Sequence, residues 1–190
     1  MTTAVATPIV LPAMEIQSLQ LGLRGVSPLI CHAWSEKAKR QMLDKQTKKA
    51  STGKEAKDPE ADYRGSLYPH PDGGYGFPCV AFKAAAVRAG TYSDQKMTFL
   101  RGAFHVVGEF AKIDGEPRPR EDMVRVGMGT ADIRYRAEFP EWAVTLDLRL
   151  NVRALSVDQV VNLFRIAGFS VGVGEWRPER DGSYGMFEVA

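Results

Sequence analysis

An α+β domain, with an antiparallel sheet carrying helices on one face, is the fold class that this 190-residue sequence predicts. Three observations carry the prediction. Residues 142–153, WAVTLDLRLNVR, alternate Trp142, Val144, Leu146, Leu148, Leu150 and Val152 with Thr145, Asp147, Arg149, Asn151 and Arg153. That period of two is a strand with one buried and one wet face. The following SVDQVVNLFRIAG sets Ser156 at an N-cap with Gln159 three positions on, then Val160, Val161, Leu163, Phe164 and Ala167 at helical spacing, with Gly168 as terminator. Residues 16–24, IQSLQLGLR, alternate again at Leu19, Leu21 and Leu23, a second half-buried strand.

The remaining elements follow in chain order. GVSP at 25–28 ends the first strand, and SPLICHAW leads to Ser35, an N-cap for a polar helix over 35–50, SEKAKRQMLDKQTKKA. Residues 51–66, STGKEAKDPEADYRGS, are charged and poor in apolar groups, which predicts a mobile segment. YPHPDGGYGFP is a turn-rich passage, and CVAFKAAAVRAG is a short alanine-rich helix closed by Gly90 and packed on something flat. Residues 99–113, FLRGAFHVVGEFAKI, read as extended structure interrupted at Gly102 and Gly108, IDGEPRPRED as a loop, TADIRYRAEF as a strand and GMFEV as the last strand. Two βαβ-like halves sharing one antiparallel sheet make a ferredoxin-like, RRM-like arrangement with a large insertion after the first strand. The expected organisation is a flexible N-terminus over 1–13 and a single domain over 14–190, with a charged insertion at about 30–77.

Composition narrows the function classes. A hydrophobic content of 44% supports a real core. No run reaches the roughly 18 apolar residues of a membrane span, and MTTAVATPIVLPAM lacks the basic start and apolar centre of a signal peptide, so a cytoplasmic protein with no membrane partner is expected. Cys31 and Cys79 have no CxxC spacing, and His32, His70 and His105 form no ligand cluster with them, so neither a metal nor another cofactor is indicated. A net charge of only +2 leaves any basic surface to local arrangement.

Local arrangement offers several candidates. Lys37 and Arg40 lie in the polar helix, where interleaved Glu36 and Asp44 favour a plain solvated surface equally well. Arg134 and Arg136 share one side of a strand, as do Arg149 and Arg153 by spacing. They form either a cradle for a sugar-phosphate chain or an ion-pair ladder with Asp132 and Asp147. His32 invites a general-base reading, but no nucleophile–base–orienter set, P-loop or GxGxxG strand-to-helix turn accompanies it. The segment GFSVGVGEWRPERDGSYGMFEV holds five glycines. Such density marks a hairpin turn or a close approach to a ligand.

The stretches RGVSPLI, FPCVAFKAAAVRAG and AGFSVGVGEWRPERDGSYGMFEV resemble the RAMP superfamily, RNA-binding proteins that include the backbone subunits of CRISPR effector complexes. SPLI, FKAAAVRAG, VGVGEWRP and GMFEV together are similar to small relatives encoded by phages and mobile elements. The resemblance implies that Lys83 and Arg88 on the alanine-rich helix, with Gly172, Gly174, Trp176 and Arg177 in the glycine loop, lie near a single strand of nucleic acid. It further implies a homo-oligomer along that strand, within a ribonucleoprotein complex, and a polar finger from the 35–50 helix. On this reading the glycines admit a phosphate to backbone amides while Trp176 stacks and Arg177 pairs. The function expected is non-catalytic binding of single-stranded RNA, or of single-stranded DNA as in recombination. The alternatives are a phage or mobile-element protein that uses the fold to bind a protein partner, and a ribonuclease that depends on His32.

Overall fold

The computed structural model describes residues 13–34, 36–47, 57–126 and 129–190. In chain order these form strands β1 (Ile16–Gly25) and β2 (Leu29–Cys31), helices α1 (Glu36–Gln46) and α2 (Pro59–Gly65), and strands β3 (Tyr68–Pro69) and β4 (Tyr75–Pro78). Helices α3 (Cys79–Ala89) and α4 (Met97–Ala103) follow, then strands β5 (Phe104–Val106), β6 (Phe110–Asp114), β7 (Arg118–Val126), β8 (Thr130–Phe139) and β9 (Ala143–Asn151). Helix α5 (Val157–Ser170) and strand β10 (Phe187–Val189) complete the succession.

The two alternating segments are neighbours. β1 and β9 pair antiparallel with Leu19 opposite Leu148, Leu21 opposite Leu146 and Leu23 opposite Val144, so both apolar faces point the same way. β10 borders β1, while β5 and β6 border β9 on its other side, and β4 and β3 extend the sheet beyond β6. β1, α3, β5, β9, α5 and β10 thus trace a strand–helix–strand–strand–helix–strand succession on an antiparallel sheet, within the α+β class that the periodicities predict. A second, three-stranded sheet runs β2-β8-β7.

α3 and α5 pack on each other and cover one face of the main sheet. Phe82, Ala85, Ala86 and Ala89 of α3 join Val160, Leu163, Phe164 and Ala167 of α5 in the core with Leu21, Leu23, Leu146, Leu148 and Leu150. The alanines let α3 lie close to the strands. Phe82 is the hub, with ring centroids 5.8 Å from Phe77, 6.1 Å from Phe187 and 6.5 Å from Trp142. Each large side chain buried this way stabilises by about 1.5–3 kcal/mol. The opposite face of β1 and β9 is open and polar, with Gln20 donating to Asp147 at 2.9 Å and Arg24 paired to Glu188.

Several expectations are corrected. Residues 59–65 are helical: Asp58 accepts from the Ala61 N–H at 3.1 Å and Pro59 stands in the first turn, a strong start signal inside a polar stretch. Buried Ser66 then accepts from the Ala137 N–H at 2.7 Å and fixes α2 on β8. Met97–Ala103 is helix rather than extended chain, and Leu100 and Ala103 are its buried residues. Arg118–Val126 is a strand, because its charges meet partners across the β7–β8 ladder. Gly168 lies within α5, and the chain leaves the helix at Gly172, with φ +69. Residue 168 is glycine because a Cβ there would stand 1.8 Å from the Phe187 carbonyl oxygen of β10. Residues 1–12 of the expected flexible N-terminus over 1–13, the Ser35 cap and the segment 51–56 lie outside the described residues.

Candidate nucleic-acid interface

α3 has two faces with different work. The alanine face is buried, and on the other side Val80, Lys83, Ala84 and Arg88 border a groove of about 690 Å³. The far wall is the chain leaving α5, namely Val171, Gly172, Val173, Gly174, Arg177, Glu179 and Arg180. Met97 and Arg101 of α4 close one end. Lys83, Arg88, Gly172, Gly174 and Arg177, nominated from two separate parts of the sequence, therefore line one groove. Trp176 stands at its rim, 41% exposed, in an adjoining depression shared with Glu175, Arg177 and Arg180.

The groove is cationic. Five basic side chains, Lys83, Arg88, Arg101, Arg177 and Arg180, face a single acidic one, Glu179. Arg88 donates from Nε to Glu179 Oε1, and Arg177 donates from Nη2 at 2.9 Å and Nε at 3.2 Å to Oε2. Burial opposes ionisation of Glu179, but hydrogen bonds from Arg88 and Arg177 outweigh it and hold the carboxyl below its ordinary value. Lys83 donates to the Arg101 carbonyl at 3.1 Å and lies 2.9 Å from His105 Nδ1, which must accept, since an ammonium has only donors. Burial lowers the Lys83 pKa.

The glycines do not open a path for a ligand. A Cβ on Gly174 would meet the Ile30 carbonyl oxygen at 2.6 Å, and one on Gly182 would meet the Trp176 carbonyl oxygen at 1.7 Å. A Cβ on Gly185 would meet the Val173 carbonyl oxygen at 1.7 Å. Close approach is required, but to the chain's own backbone. The loop is a compact excursion held by Val173 N–H to Gly185 O, Glu175 N–H to Ile30 O and Gly185 N–H to Pro28 O, at 2.9, 3.1 and 2.8 Å. It is neither the plain hairpin nor the glycine cradle that the sequence suggests.

The other candidates sit elsewhere. Arg136 is 3% exposed, with Nη1 3.4 Å from Asp122 and Nη2 3.7 Å from Glu175. Arg120 bonds both Asp122 and Glu138, at 2.7 and 2.9 Å, and stacks 4.7 Å over the Tyr184 ring. Arg134 lies 3.8 Å from Asp132. Of the strand arginines, Arg134 pairs with Asp132 on its own strand and Arg136 with Asp122 across the β7–β8 ladder, whereas Asp147 accepts from Gln20 rather than from an arginine. Arg153 falls beyond β9 and pairs with Glu15 at 3.0 Å. Arg40 is exposed on α1, away from the groove, and Lys37 belongs to the first turn of α1. His32 Nδ1 lies 3.3 Å from Glu175 Oε1; that hydrogen bond, against the opposing effect of burial and with help from Arg136, holds Glu175 below its ordinary value.

Arg101, Glu179 and Arg180 were missed by sequence reasoning. Arg101 reaches the groove only because residues 97–103 are helical. Glu179 and Arg180 follow the WRP motif directly and could have been nominated with it. Among the described residues no group of three His, Cys, Asp or Glu is placed to hold a metal ion, and no helix is long and apolar enough to cross a membrane.

No family model matches the chain, and no curated protein matches it. Among solved structures, the crystal structure of Cmr6 from Pyrococcus furiosus is similar over 94% of this chain and 100% of its own, at 12% identity and a TM-score of 0.49. A likeness at that level carries no argument about what the groove binds.

Proposed function

We propose that this chain binds single-stranded nucleic acid, RNA in preference to DNA, in the groove between α3 and the loop that follows α5, and does so without cutting it. One observation carries the reading: five basic side chains drawn from α3, α4 and the loop face one acidic residue in a single groove with a tryptophan at its rim. Such a groove neutralises a sugar-phosphate chain, and an exposed indole supplies a stacking platform worth about 1–3 kcal/mol per base. The preference for RNA, assembly along the strand, and service as a backbone-type subunit of a ribonucleoprotein complex rest on the RAMP resemblance. Exposed Met42 and Leu43 on α1 suit contact with a neighbouring copy.

The test is to purify the protein without added nuclease and digest whatever nucleic acid accompanies it. RNase-sensitive fragments of regular length are expected. DNase-sensitive fragments would shift the reading to single-stranded DNA. Protein free of nucleic acid, and unable to bind added strands in a salt-sensitive way, would leave a protein partner as the function and overturn the proposal.

A further inference from the structure

We propose that Glu179 is an internal stand-in for a backbone phosphate, and that an entering strand displaces it from Arg88 and Arg177. This inference rests on the nucleic-acid reading above. The observation behind it is that the Nε–Nη2 edge of Arg177, the fork that would grip a phosphate bidentately, is already occupied. Its Nε and Nη2 are taken by Glu179 Oε2, and its Nη1 donates to the Gly174 carbonyl at 3.1 Å. Arg177 can offer that edge to a phosphate only when Glu179 withdraws.

The geometry of the clamp is that of an occupied oxyanion site. Two guanidinium groups from separate elements, α3 and the loop, each take one oxygen of a single carboxylate. Arginine forks suit carboxylate and phosphate alike. The competitor stands on a single 3-10 turn, Pro178–Arg180, and its side chain is 19% exposed at the groove wall. The Nη groups of Arg88 have no acceptor among the described residues, and that side chain is 52% exposed, so an incoming phosphate has a first contact before Glu179 moves. A strand with closely spaced phosphates overcomes the clamp by engaging the other groove cations together. A lone carboxylate on a protein partner lacks that advantage, so the exchange favours polyanions.

The experiment is to titrate labelled single-stranded RNA into native protein, Glu179→Gln, and Glu179→Gln combined with Arg88→Ala and Arg177→Ala. Removing a charged hydrogen-bond competitor is expected to tighten binding about tenfold. The salt slope should match that of native protein, because the displaced native complex already makes the same phosphate contacts. The gain in affinity should vanish in the triple variant. A folded Glu179→Gln protein that binds no more tightly than native, while native binding is salt-sensitive, overturns the clamp and leaves the nucleic-acid reading standing. Absence of salt-sensitive binding in every form overturns both. If Glu179→Gln does not fold, inorganic phosphate titrated into native protein should move the Nε–H resonances of Arg88 and Arg177 together. An unmoved Arg177 resonance then overturns the inference.

Discussion

Gly102 and Gly168 lie inside α4 and α5, and alanine at each should act with opposite sign. At Gly102 in α4 nothing stands within 4 Å of an added Cβ. Alanine there should stabilise by about 0.5–1 kcal/mol, because it loses less backbone freedom on folding. At Gly168 in α5 the same propensity gain applies, but the Cβ would lie 1.8 Å from the Phe187 carbonyl oxygen and 2.9 Å from its ring. Both obstacles belong to β10, so relief requires that strand to move. Unseating Phe187, 3% exposed, forfeits about 1.5–3 kcal/mol of burial. Its edge contacts with Phe82 and Trp142 add about 0.5–1.5 kcal/mol each. After the helix gain, Gly168→Ala should cost about 2–4 kcal/mol. At about 2–4 °C per kcal/mol for a chain of this size, Gly102→Ala should raise Tm by about 1–4 °C and Gly168→Ala lower it by about 5–15 °C. Urea denaturation with paired thermal melts reads both. If Gly168→Ala moves with Gly102→Ala, the close approach of α5 to β10 is wrong.

Three further outcomes follow from the ion pairs and thiols. Truncating Arg136 to alanine leaves Asp122 buried with fewer partners and should cost about 3–5 kcal/mol in chemical denaturation; a cost below about 1 kcal/mol would show that the network is not structural. The Glu175 carboxyl is held below its ordinary value, so its stabilising contribution is full above the unfolded pKa and lost as pH falls through the folded one. Glu175→Gln should therefore destabilise at neutral pH and match native protein in acid, and a penalty independent of pH would refute the His32–Glu175 link. Burial pushes the Cys31 thiol up to about 12, and Cys79 is raised by burial as well. Neither should react with a thiol reagent at pH 8 until the protein unfolds, and rapid labelling of native protein would contradict their placement.

How far the sequence could be read depended on whether local pattern or tertiary partners decided each element. β9 and α5 were legible because alternation and a capping box are local signals, and Ser156 accepts from the Gln159 N–H at 3.2 Å as the spacing requires. β7 was not, since RPRED shows no apolar period; its charges are satisfied across the ladder, with Arg118 bonding Glu138 at 2.7 Å. α4 was obscured by Gly102, which reads as a break although the site is open enough to tolerate it. The groove was legible in part. Lys83, Arg88 and Arg177 could be nominated by motif, whereas Arg101 depends on the position of α4, and the clamp on Glu179 is a contact 91 residues apart in sequence. The glycines were noticed for the right reason, close approach, but what they approach is visible only in the folded chain.

The most direct test of a strand in the groove neutralises the two groove arginines that carry no ion pair among the described residues, Arg101 and Arg180. Binding of labelled single-stranded RNA should be measured across a salt series for native protein and for the Arg101→Ala, Arg180→Ala double variant, with thermal melts confirming that both are folded. The groove account predicts weaker binding and a salt slope shallower by about 1.4, two phosphate contacts on a single strand. A folded double variant with native affinity and native slope would contradict it.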